Sequence, residues 1–246
     1  MKVKQLTKSM YKEQFGWALW FLISFVLIQV VFILLASHYQ GTVEPIMLLL
    51  VAPSRIFMLV LGIISAYSFL GYYYHLGQTR KQYYKSSLCS TGLLTVTVIT
   101  LIFILSLAEK WVLSLFSSTA QILSASEGTS IVNPNGHLDI TMQFSVGGVS
   151  FVDAPVLFLL FFAVQLVFFF AVGWLISVGF YRYGWMVGLG FILVALVFLS
   201  LNEWMWSGTV REFFPTTIIT IGCISLCIVL FTIIYNILKK TPIKMK

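Results

Sequence analysis

Six stretches of this sequence, Trp17 to Ala36, Ile56 to His75, Ser86 to Leu107, Pro155 to Ser177, Trp185 to Asn202 and Thr216 to Leu238, contain no Asp, Glu, Lys or Arg. A helix needs about 20 consecutive apolar residues to cross roughly 30 Å of hydrocarbon, where every backbone amide must be satisfied within the segment. Each stretch meets or approaches that length, so the expected fold is all-α: one polytopic domain over residues 1–246 with six transmembrane helices. The composition agrees. The chain is 59% hydrophobic and 9% charged, against about 25% charged for an ordinary soluble domain. The first apolar run is full length and is not followed by a cleavage site, so it is expected to remain as a span.

The cations set the expected orientation. With the N-terminus inside, the cytoplasmic segments hold Lys2, Lys4, Lys8, Lys12, Arg80, Lys81, Lys85, Arg182, Lys239, Lys240, Lys244 and Lys246, leaving only Arg55, Lys110 and Arg211 outside. Cationic residues resist translocation and favour the anionic inner leaflet. Both termini are therefore expected in the cytoplasm, and the basic balance implies lipid contact and not nucleic acid.

Outside the spans, Lys4, Lys8 and Lys12 share one helical stripe and Val3, Leu6 and Met10 the opposite one. That pattern predicts an amphipathic in-plane helix on the inner leaflet, turning into the first span at Gly16. Glu44 to Ser54 is apolar but holds Pro45 and Pro53 and reads as an interfacial piece on the outer face, with Arg55 at the external end of the second span, in reach of phosphate. Residues 108–154 form the large extracellular loop. Its Asn133-Pro134-Asn135-Gly136 turn precedes an alternation of Leu138, Ile140, Met142 and Phe144 with polar residues, which predicts a small β-hairpin.

The loop between spans two and three carries the most information. Gly77 is suited to end the second span in the left-handed conformation, and Thr79 with Gln82 forms a capping box that starts a separate short cytoplasmic helix. Arg80 and Lys81 then sit in its first turn, the wrong sign for the helix dipole. Either lipid phosphate or a protein partner would account for that placement.

Catalytic signatures are missing. The sequence holds no phosphate-binding GxxxxGK[ST] loop, no HExxH, no GxSxG elbow and no paired intramembrane carboxylates,. Cys89, Cys223 and Cys227 lie in or beside spans, where cysteine behaves as a small apolar side chain. Central charges of the kind that ion-coupled carriers use are absent from the predicted spans. Mild polarity remains: Gln29 and Gln165 near the middles of spans one and four, and Ser87, Thr91 and Thr95 on one face of span three. These are candidate pathway-lining residues, with interhelical packing as the competing role. Gly173/Ser177 and Gly184/Gly188 have the small-xxx-small spacing of close helix contacts.

The stretch Gly77-Gln78-Thr79-Arg80-Lys81-Gln82-Tyr83-Tyr84, between spans two and three of a small six-helix protein, resembles the permease subunits of ABC-2 type transporters. Many of those from Gram-positive bacteria carry a similar G-x-T-R-K-x-aromatic run. The resemblance implies that the helix of Thr79, Arg80, Lys81, Gln82, Tyr83 and Tyr84 is a coupling helix docking on a separate ABC ATP-binding subunit, which settles the choice over Arg80 and Lys81 in favour of a protein partner. It also implies a re-entrant outer segment near Trp204 to Pro215, a second permease copy or related permease completing a dimer, and ATP and Mg bound by the partner ATPase, with no cofactor or catalytic residue in this chain. The implied function is ATP-driven export from the bacterial plasma membrane of an amphipathic or hydrophobic substrate, such as a peptide toxin or antimicrobial peptide. Two other classes are compatible with the residues: a non-transporting receptor or immunity protein that binds peptides, and an intramembrane enzyme with an unfamiliar site.

Overall fold

The computed structural model describes residues 3–39, 42–43, 45–115, 121–122, 155–207, 210, 213–214 and 216–239. In chain order the elements are α1 (Val3–Tyr39), β1 (Thr42–Val43), α2 (Ile46–Ile64), a π-helical segment (Ser65–Phe69), α3 (Leu70–His75), α4 (Arg80–Leu115), β2 (Gln121–Ile122), α5 (Pro155–Tyr183), α6 (Trp185–Met205) and α7 (Thr216–Lys239). Six helical stretches among the described residues are long and apolar enough to cross a membrane. The chain is thus a multi-pass membrane protein of helical architecture. The strands are a two-residue parallel pairing of Thr42 with Gln121 and Val43 with Ile122. The hairpin expected between Asn133 and Ser145 lies outside the described residues.

Helices α5, α6 and α7 start at Pro155, Trp185 and Thr216, as the apolar runs predict. Three other expectations are corrected. The expected in-plane helix is not separate, because α1 runs unbroken for 37 residues through Gly16. Its Leu6 and Met10 continue one buried seam with Gln14, Ala18 and Leu22 at four-residue spacing. That seam packs on α4, where Tyr11 Oη pairs with Thr97 Oγ1 at 2.9 Å and Ser90 Oγ donates to Gln14 Oε1 at 2.6 Å. The apolar stripe is covered by protein, and Lys4, Lys8 and Lys12 remain exposed opposite it.

The second correction concerns residues 46–54, expected as an interfacial piece. They are helical, and Pro53 lies inside α2. The lost amide at Pro53 is tolerated where neighbouring helices enclose the backbone; α5 lies along α2. The helical path then continues through the π segment and α3 to His75. Arg55 consequently stands within a helix and not at its end. Third, the short helix expected after Gly77 is the first turn of α4, which runs 36 residues without interruption at Lys85 or Ser86.

The bundle is organised around α5, which touches α2, α4, α6 and α7. The α2–α5 crossing is backbone to backbone. A Cβ added at Gly173 would strike the Leu59 carbonyl oxygen, and one at Gly62 would strike that of Phe170. Small residues at such a crossing let dispersion contacts form along the backbones, which is the main source of helix association where lipid is as apolar as leucine. Beside this crossing, Trp174 is enclosed by Tyr83, Tyr84, Phe170 and Phe231, with ring centroids 5.5–6.2 Å away.

Side-chain bonds fix which helix ends are neighbours. Ser86 Oγ donates to Val3 O at 3.3 Å, so α1 and α4 start at the same end of the bundle. Gln29 Nε2 donates to Glu109 Oε1 at 2.5 Å near the opposite end. The two ends are called here the Arg80 end and the Glu109 end.

Candidate functional site

At the Arg80 end the chain changes direction in three residues. Gly77 has φ 75, and Gln78 N donates to Tyr73 O at 3.2 Å. This is the six-to-one bond of a Schellman cap, which needs a residue without Cβ at the left-handed position. The capping box follows at once. Thr79 N donates to Gln82 Oε1 at 3.0 Å, and Gln82 N donates to Thr79 Oγ1 at 3.3 Å. Two amides at the start of α4 are thereby satisfied by side chains, which fixes where the helix begins.

The residues expected in the docking helix separate into different roles. Thr79 and Gln82 make the cap. Arg80 turns to α7, donating from Nη1 to Lys239 O at 2.8 Å, and Arg182 at the end of α5 donates to Ile237 O at 3.0 Å. Both guanidinium groups therefore close the last turn of α7, where the terminal carbonyls carry the negative end of the helix dipole. Lys81 is exposed.

Tyr83 and Tyr84, expected as part of the docking helix, point into the bundle. Tyr83 is fully buried, donates from Oη to Ser65 O at 2.5 Å and lies 3.0 Å from Ser65 Oγ. Ser65 opens the π segment, where an i to i+5 bonding pattern disturbs the regular ladder, and the phenol supplies a donor there. Tyr84 stacks on Trp174 at 5.5 Å and donates to Phe231 O at 3.2 Å.

The candidate pathway residues fall in separate contacts. Gln29 meets Glu109, whose second oxygen accepts Ile46 N at 2.9 Å and so places a carboxylate at the N-terminus of α2,. Ser87 Oγ lies 3.3 Å from Ser65 Oγ, and Thr91 Oγ1 donates back to Ser87 O at 2.9 Å. Thr95 Oγ1 is buried without a hydrogen-bond partner among the described residues. Gln165 forms a reciprocal amide pair with Asn202, at 3.1 and 3.4 Å, joined by Cys223 Sγ at 3.5 Å. This layer ties α5, α6 and α7 together.

Residue order gave no sign of the roles of Asn202, Arg182 and Ser65. Asn202 marked only the end of an apolar run, and Arg182 reads as a cation at the end of its own helix although it caps a different one. Among the described residues no group of three His, Cys, Asp or Glu side chains is placed to hold a metal ion. No family model, curated protein or solved structure matches the chain.

Proposed function

We propose that this chain is the permease subunit of an ABC-2 type exporter in a bacterial plasma membrane, with both termini cytoplasmic and the Arg80 end facing the cytoplasm. A separate ATP-binding subunit holds ATP and Mg and drives transport. A second copy of this chain, or a related permease, completes the pathway as a dimer. The cargo in this reading is an amphipathic or hydrophobic molecule such as a peptide toxin or antimicrobial peptide. The abundance of aromatic and aliphatic side chains suits such a cargo better than an ion or sugar.

The observation that carries the proposal is the rigid start of α4. Two consecutive caps hold Lys81 in the first turn against its own helix dipole, an arrangement unfavourable by about 0.3–1 kcal/mol that an acidic groove on a partner would offset. In this reading the docking element is the end of a long helix. Thr79, Lys81 and Gln82 present the surface, while Arg80 links it to the end of α7. A push on α4 would then reach α7 directly.

The test is co-purification with an ATP-binding subunit encoded beside this chain. Lys81→Glu should reduce the recovered ATPase about tenfold, the equivalent of one charge-assisted contact, and the same change at Lys244 should have little effect. A correctly inserted Lys81→Glu chain that recovers the ATPase in full would overturn the docking assignment.

A further inference from the structure

Arg55 carries five guanidinium donors, and among the described residues none of them makes a hydrogen bond. Its Nε is buried without a partner. Among the described residues its counter-charge is Glu203, with Nη1 3.9 Å from Oε1, beyond hydrogen-bond reach; the arginine side chain is 22% exposed and the glutamate 63%. Beneath the guanidinium lies the Phe169 ring, 5.9 Å from Cζ. The cation is thus held between α2, α5 and α6 by a wall on one side and a loose ion pair on the other. A paired Arg and carboxylate ordinarily close to about 2.8 Å in a two-pronged contact. A guanidinium taken from water without such bonding is costly.

Depth supplies the second observation. Arg55 lies nine residues into α2, roughly 14 Å from its first residue at the Glu109 end. It is level with Glu203, two residues before α6 ends at Met205. Exposed Trp204 and part-buried Trp206 flank that position. Tryptophan collects at headgroup level, where an amphipathic ring meets both apolar chains and water. The unfilled donors of Arg55 therefore stand level with tryptophans of the kind that collect at headgroup depth,.

We propose that Arg55 is a binding site for a phosphate group, supplied by a phospholipid of the leaflet at the Glu109 end. The planar fork matches two phosphate oxygens at once. Glu203 then acts as a competitor, occupying the cation weakly when no phosphate is bound. This assignment depends on the membrane reading alone and stands apart from the transport proposal.

The test is native mass spectrometry of the delipidated chain titrated with phosphatidylglycerol. The wild type should retain the lipid. Arg55→Gln should reduce retention about tenfold, the loss of one charge-assisted contact, and Arg55→Lys should reduce it several-fold, since an ammonium lacks the fork. Glu203→Gln should raise retention, a sign that a purely structural ion pair would not give. Diacylglycerol, which shares the acyl chains but lacks phosphate, should not be retained. Inorganic phosphate in excess separates the sources: displacement of the lipid shows that free phosphate also fills the site, and failure to displace shows that acyl chains are needed. Equal retention by wild type and Arg55→Gln, or a fall in Glu203→Gln, would overturn the proposal. Should Arg55→Gln fail to fold, the opposite signs expected of Arg55→Lys and Glu203→Gln carry the test.

Discussion

Arg80 Nη1 lies 2.8 Å from the carbonyl oxygen of Lys239, so the first residue of α4 closes the last turn of α7 across 159 positions of sequence. A cation that is unfavourable at the start of its own helix becomes favourable at the end of another, because the two dipole ends have opposite sign. Arg80 and its neighbour Lys81, equivalent by position, are thereby given different tasks.

Arg80→Ala should loosen the last turn of α7 and lower stability by about 0.5–1.5 kcal/mol, the usual net value of one hydrogen bond, since the contact is exposed. Hydrogen exchange at residues 235–239 should rise in that variant. Lys81→Ala should leave this exchange unchanged. Equal behaviour of the two variants would remove the distinction between cap and surface cation.

The α2–α5 crossing should be the least tolerant contact in the bundle. Gly173→Ala forces a methyl group into the Leu59 backbone, and overpacking of that kind costs about 1–3 kcal/mol or more. Among the described residues nothing lies within 4 Å of a Cβ added at Gly190, so Gly190→Ala should be neutral or slightly stabilising. Melting of the two variants in detergent distinguishes them, and a Gly173→Ala chain as stable as wild type would contradict the close crossing.

Tyr83→Phe removes the donor to Ser65 O while keeping the ring against Trp174. Losing one hydrogen bond at this carbonyl costs about 0.5–1.5 kcal/mol. The effect should be local. Hydrogen exchange should increase across residues 65–69 before it increases elsewhere in α2 or α3.

The Gln165–Asn202 pair should behave as a coupled unit. Either single change to Leu leaves a buried amide without its partner, whereas changing both removes the polar demand altogether. A double-mutant cycle should give a coupling near 0.6 kcal/mol, the average for intramembrane hydrogen bonds, and no more than about 2. Additive single effects would show that the amides do not bond in the membrane.

Orientation is testable by labelling in a cysteine-free background with a reagent that cannot cross the membrane. A cysteine at position 135 should be labelled in whole cells and one at position 82 should not. The reverse pattern would invert the topology.

Span number, the starts of α5, α6 and α7, the left-handed Gly77 and the Thr79–Gln82 box were all legible in residue order. Apolar length and capping depend on residues a few positions apart, so the chain specifies them locally. The same local rules broke α1 at Gly16 and made Glu44 to Ser54 an interfacial piece, because proline and charge patterns say nothing about which surface will cover them. Tertiary packing decided both. The seam of Leu6, Met10 and Gln14 found α4, and the stretch through Pro53 found α5. Packing also gave Arg80 a carbonyl on α7, turned Tyr83 inward to Ser65 and placed Arg55 inside a helix. A side chain's partner is set by the approach of helices distant in sequence, and no local period encodes that approach.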